Sequence, residues 1–172
     1  MQANKKALAA LFALICALAS TGCGERKEAR RPVQDVVVEE KSEAPQTSWI
    51  RRNDDVDPAV WLASKEARRL LAPDDVEVMR LRKAFEGAEE KYLDSMRMIA
   101  NRTAQLADML AKDGKPEAAA DIVEGLSTVI GVGRGKETYG ELCQFYFTLR
   151  HNGADRQSAL ADLQLRYGAY PR

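Results

Sequence analysis

Histidine is nearly absent from this 172-residue chain, and cysteine occurs only three times. A single imidazole, His151, excludes most His-based acid–base catalysis and the His-rich metal centres. Three cysteines are too few for a disulfide scaffold. Excess charge of either sign is also missing: 26 Lys and Arg face 26 Asp and Glu, and the pI is near 6.6. That balance leaves no basic surface for nucleic acid. Apolar residues make up 45% of the chain, yet no apolar run reaches the roughly 20 residues of a bilayer-spanning helix. With a mean hydropathy of −0.39, a multispan membrane protein is excluded. The length suits one domain with a tail.

What is present begins with a processing signal. Lys5 and Lys6 precede the apolar run Ala7 to Ser20, the charged and hydrophobic regions of a secretory leader. The following Ser20-Thr21-Gly22-Cys23 resembles the lipobox of bacterial lipoproteins, with Gly before the cysteine in place and Ser20 where that family usually carries Leu. The resemblance implies that residues 1–22 are removed and that Cys23 becomes a lipidated N-terminus. Gly24 after the cysteine, rather than Asp, implies the periplasmic side of the outer membrane. An A-x-A site at Ala17-Leu18-Ala19 offers the alternative of cleavage to a soluble periplasmic protein. Either route exports the chain. If Cys23 carries lipid, Cys143 remains as the only thiol, a small hydrophobe on an apolar helix face. An intermolecular disulfide is the alternative.

Residues 23–56 read as a lipid-anchored flexible linker. The stretch 24–48 is charged, contains Pro32 and Pro45, and has no sustained periodicity, so it cannot bury enough apolar surface to offset its ordering entropy. About 30 such residues hold a domain roughly 30 Å from its anchor. Trp49-Ile50 interrupts the polarity. It reads as the end of the linker docking onto the domain, or alternatively as a partner-binding peptide.

Residues 57–172 read as an all-α domain of about five helices. Asp57-Pro58 is an N-cap followed by Pro at the first helical position. A stripe of Val60, Ala63, Ala67, Leu70 and Leu71 follows and places Trp61 at the rim of the core. Asp74-Asp75 opens a second helix. Its stripe runs Val78, Leu81, Phe85, Ala88, Tyr92, Met96, Ile99, Thr103, Leu106, Leu110 in near-heptad steps. Taken as continuous from 74 to 112, that helix is about 58 Å long, with Gly87 and Asn101 as the places for a bend. It packs within its own domain or, alternatively, serves as a homodimer arm. Gly114 ends it and Pro116 starts the next helix. The glycine-rich segment 131–135 leads to an aromatic helix over 137–151, and Gly153 and Asp155 separate that from a last helix.

A weak self-similarity recurs at a spacing of 39 residues. Leu106, Leu110, Gly114, Ala120 and Leu126 align with Phe145, Leu149, Gly153, Ala159 and Leu165. Ala107, Gly114 and Ala119 resemble the small positions of a tetratricopeptide hairpin, although the period differs from that family's 34 residues. The resemblance implies helical hairpins stacked as a short solenoid with a groove for a peptide; an irregular bundle is the alternative.

Catalytic motifs were sought at three places. The glycine-rich segment lacks a glycine where Ile130 stands and Ser or Thr where Glu137 stands, so it is a helix connector rather than a P-loop. Glu86, Glu89 and Glu90 have no histidine partner and read as a solvated face. Glu141 is the single residue that could act as the acid of a lysozyme-like peptidoglycan-cleaving enzyme, provided an apolar pocket raises its pKa. The reading that follows is a non-catalytic, membrane-anchored module that needs no cofactor, binds another cell-envelope protein, and does not bind nucleic acid. Its candidate surface residues are Phe145, Phe147, Trp61 and Trp49; for all but Trp49 the alternative is packing against neighbouring helices. A small-ligand site near Tyr139 and Tyr146 is the second functional class.

Overall fold

The computed structural model describes residues 45, 47–131 and 135–168. The signal segment, Cys23 and residues 132–134 of the glycine-rich segment lie outside them. Six helices follow one another: α1 (Pro58–Ala67), α2 (Val76–Glu89), α3 (Met96–Lys112), α4 (Ala119–Val129), α5 (Tyr139–His151) and α6 (Arg156–Tyr167). No strand is present among the described residues, only an isolated bridge between Tyr92 and Glu137. The class is all-α, as the periodicity predicts.

The packing is that of three stacked hairpins, α1/α2, α3/α4 and α5/α6. Each odd helix packs on the next odd helix, α1 on α3 and α3 on α5, and each even helix on the next even one, α2 on α4 and α4 on α6. The result is two layers with the core between them. Trp61, Phe85, Tyr92, Tyr139 and Tyr146 are its largest buried side chains.

The expected long helix is two helices. Its apolar stripe is correct, since Val78, Leu81, Phe85, Ala88, Tyr92, Ile99, Leu106 and Leu110 are all buried, but the chain turns at 90–95. Neither Gly87 nor Asn101 is the breaking point. Tyr92 anchors the turn by donating its hydroxyl to Leu126 O at 2.7 Å. Leu93 N donates to Glu137 O and Glu137 N to Lys91 O, at 3.0 and 3.1 Å. Ser95 is the N-cap of α3, and Glu89 accepts the Met96 N–H at 3.1 Å. These partners from outside the stripe split the heptad seam between two helices.

The 39-residue recurrence is structural. Gly114 and Gly153 both take positive φ, +73° and +100°, a conformation that disfavours side chains. Around each, the same two hydrogen bonds close the helix: Gly114 N to Ala111 O and Lys115 N to Leu110 O, then Gly153 N to Arg150 O and Ala154 N to Leu149 O. This is the Schellman arrangement. The outer faces then diverge. Ile122, Val123, Gly125 and Leu126 of α4 are buried, and a Cβ at Gly125 would come within 2.8 Å of the Arg156 side chain. Their counterparts Ala161, Asp162, Gln164 and Leu165 on α6 are exposed.

Candidate interaction face

Three helices start on their own aspartates and three start on carboxylates from elsewhere. Asp57, Asp75 and Asp155 accept backbone N–H groups at the start of α1, α2 and α6, satisfying donors that the helix leaves orphaned. Asp57 also pairs with Arg82 at 2.7 Å. Burial works against its charge, but the Arg82 and backbone hydrogen bonds prevail and hold its carboxyl below the ordinary value. By contrast α3, α4 and α5 have no side-chain bond from their own N-caps. Glu89 caps α3, Glu66 caps α4 at Ala119 N (3.1 Å), and Asp94 caps α5 at Tyr139 N (2.8 Å).

Among the described residues most buried polar side chains are matched, the Ser127 hydroxyl and Arg150 Nε being without a hydrogen-bond partner. Tyr139 and Thr103 share a hydroxyl contact at 2.8 Å. Tyr146 donates to Glu117 at 2.8 Å. Arg150 Nε lies 2.9 Å from Glu117 Oε1, poorly aligned for a hydrogen bond, while its Nη1 donates to Ala154 O at 3.0 Å. Arg156 stands 3.4 Å from the other Glu117 oxygen. Desolvation pushes the Tyr139 and Tyr146 hydroxyls well above their usual range. Both tyrosines, expected beside a ligand pocket, are therefore core residues with engaged hydroxyls. Cys143 is buried between them in sequence, and desolvation pushes its thiol up to about 12.

The odd-helix layer presents a cleft of about 340 Å³ between α1 and α3. Ala104, Ala107 and Ala111 of α3 line its floor, with Leu62 of α1 beside them. The alanines repeat at helical spacing, so no large side chain fills the gap. At the rim Lys65 pairs with Asp108 at 3.2 Å. On the other flank of α3 a second cleft of about 350 Å³ runs beneath Ser48 and Trp49 and shares Ala104 and Asp108 with the first.

Residues 47–50 cross this layer in non-helical conformation. Ile50 is buried, as the docking reading predicts. Asn101 Oδ1 accepts its N–H and Asn101 Nδ2 donates to its carbonyl, both at 2.9 Å. Arg97 adds a bond to the same carbonyl at 3.2 Å. Asn101 is therefore no bend but a side chain on the flank of α3 that holds the Ile50 backbone. Of the two sequence readings of Trp49-Ile50, docking and a partner-binding peptide, the burial of Ile50 fits docking.

The four predicted surface aromatics do not converge. Trp61 is 1% exposed and belongs to the core; its indole N–H donates to Thr47 O at 3.2 Å. Its place at the rim is corrected because residues 47–50 cover it. Trp49 is exposed with the Arg102 guanidinium 5.8 Å from its ring. Phe145 is exposed against Tyr167, and Phe147 is half-buried and stacked on His151. Glu141 is exposed rather than held in an apolar pocket, and accepts from the Tyr167 hydroxyl at 3.4 Å. His151 pairs with Asp113 at 3.0 Å. Glu86, Glu89 and Glu90 line an open cleft with Asp94 and Lys136, and among the described residues no His, Cys, Asp and Glu group is arranged to hold a metal ion. No described helix is long and apolar enough to cross a membrane.

Comparison with known families gives one match: the family model described as MoxZ matches residues 59–168, from the first turn of α1 to the end of α6. No curated protein and no solved structure matches the chain.

Proposed function

The chain belongs to the MoxZ family, and for this member we propose a non-catalytic role as an exported interaction module that binds another cell-envelope protein along the α1–α3 face. The observation that carries the reading is the alanine-floored cleft with its Lys65–Asp108 rim. Concave sites with an apolar floor and a few polar groups at the edge are where proteins take ligands and partner segments. The stacking of hairpins supports it too, because such arrays expose one continuous layer of helices. In this reading Cys23 carries lipid, residues 23–56 act as a tether, and the module works on the periplasmic side of the outer membrane.

The test is in-cell crosslinking of the full-length chain, followed by affinity purification and mass spectrometry. The same sample's N-terminal peptide reports whether Cys23 is acylated. A stoichiometric envelope protein that is captured by the native chain and lost in Ala107→Trp, which fills the cleft, is the expected result. An uncrosslinked monomer, or capture that Ala107→Trp leaves unchanged, overturns the assignment of this face.

A further inference from the structure

Residues 47–50 are held in a manner that differs from the rest of the core. Elsewhere a side chain that reaches across to main chain meets one backbone group, as the Tyr92 hydroxyl does at Leu126 O and Lys91 at Ser127 O. Here one side-chain amide, Asn101, grips both backbone groups of one residue, Ile50, at 2.9 Å each. Arg97 adds a second donor to the Ile50 carbonyl. Three residues earlier the Trp61 indole N–H reaches Thr47 O at 3.2 Å and its Oγ1 at 3.3 Å. These contacts read main chain at positions 47 and 50 and make few demands on side-chain identity. Side-chain selection comes separately: Ile50 inserts until it is 1% exposed, and Trp49 turns out beneath the Arg102 guanidinium.

We infer that Asn101, Arg97, Arg102 and Trp61 form a recognition site for an extended peptide segment carrying an aromatic residue followed by an aliphatic one, and that the chain's own residues 47–50 occupy it in cis. With the strap in place Asn101 is fully buried, and its paired donor and acceptor complement any backbone that brings a free N–H and carbonyl to the same place. Residues 51–56 between the strap and α1 are exposed and carry the local bonds Arg51 N to Asp54 Oδ2 and Asp54 N to Arg51 O, while Asp57 is fixed by Arg82 and the start of α1. The occupant is a segment of a partner protein with that aromatic–aliphatic pair. The aliphatic residue cannot be followed into the site by proline in its place, because Asn101 requires its N–H.

This inference rests on the reading of the odd-helix layer as an interaction surface, and names the ligand class for its α3 flank. Its test needs no envelope partner, so its failure leaves the α1–α3 cleft reading standing. A fluorescent peptide of residues 45–54 is titrated by anisotropy into the full chain and into Ile50→Asp and Ile50→Ala full chains. The native strap competes at an effective concentration of about millimolar. Peptide binding to the released variants is therefore expected at least about tenfold tighter than to the native chain. Adding Asn101→Ala abolishes it. A peptide with N-methyl isoleucine, which keeps the side chain and loses the N–H, binds about tenfold more weakly. The inference is overturned if whichever variants keep their helical circular dichroism bind no better than the native chain. It is equally overturned if both variants lose that signal, since the strap is then part of the fold.

Discussion

Asp94 accepts the backbone N–H of Tyr139 at 2.8 Å across 45 residues of sequence, so α5 begins on a carboxylate supplied by the turn between α2 and α3. The same turn is joined to the approach to α5 by the Tyr92–Glu137 bridge. Tyr92 and Tyr139 meet edge to face behind it, with ring centroids 4.9 Å apart. The link between the first two hairpins thereby sets the start of the third.

Asp94→Ala is expected to lower stability by about 1 kcal/mol, the usual worth of an N-cap. Ser95→Ala, at the N-cap whose side chain makes no capping bond, is expected to change it by under about 0.5 kcal/mol. Urea denaturation of the two variants checks the contrast. Equal losses would contradict it.

Glu117 gathers Tyr146, Arg150 and Arg156 around a carboxylate that is 8% exposed. Glu117→Ala leaves Arg150 buried without its ion partner and is expected to cost about 3 kcal/mol. Arg150→Met in the same chain should recover part of that loss. A double-mutant cycle by denaturant unfolding measures the coupling, and additive losses would show that the two side chains act independently.

Acid sensitivity follows from Asp57. Its folded-state carboxyl lies below the ordinary 3.8, so its contribution is present above the unfolded value and is lost as pH falls through the folded one. Stability should hold from pH 7 to about 5 and decline below about 4. Asp57→Asn keeps an N-cap side chain but removes the charge paired with Arg82, and should flatten part of that decline. An unchanged slope in thermal melts across pH would refute the assignment.

The thiol of Cys143 should be silent in the folded protein. A buried thiol pushed up to about 12 holds almost no thiolate at neutral pH, and thiolate is the reactive form. In a full chain with Cys16 and Cys23 replaced by Ser, Ellman's reagent should release one equivalent only after guanidinium is added. Rapid labelling of the native protein would show that the α3–α5 contact opens readily.

Positions 39 residues apart should respond differently to the same change. Leu126 is 1% exposed and Leu165 is 88% exposed. Leu126→Ala should cost about 2–5 kcal/mol, while Leu165→Ala should stay within about 0.5 kcal/mol. Chemical denaturation of the pair decides it.

The features legible in the sequence are the ones whose cause is local. Asp57, Asp75 and Asp155 stand directly before the helices they cap, and Gly114 and Gly153 directly after the helices they end. The periodic stripe correctly named the buried faces of α2 and α3. It did not show the turn between them, because Tyr92 continues the stripe in phase while its hydroxyl is held by Leu126 and its neighbours by Glu137. Ser95 immediately before Met96 was the local hint. The distant caps from Glu66, Glu89 and Asp94 leave no mark in the helices they serve. Trp61 was misplaced for the same reason, since its cover comes from residues 47–50 rather than from its own stripe. Asn101 reads as a place for a bend because its partner, the Ile50 backbone, lies 51 residues away.

The exposed face of α6, where Asp162 and Gln164 stand beside Ala161 and Leu165, has a consequence for what the molecule can become. A chain that stacks like upon like carries, at its last unit, a surface resembling the one its inner units use to grip each other. Left apolar, that end would accept a neighbour's first hairpin and grow head to tail without closing, which is the geometry of a fibre. Where α4 offers Gly125 to Arg156 and Leu160 of α6, the corresponding face of α6 offers Asp162 and Gln164, whose hydration a newcomer would have to strip away. Asp162 and Gln164 thus set a cost in lost hydration against head-to-tail growth on this face of α6.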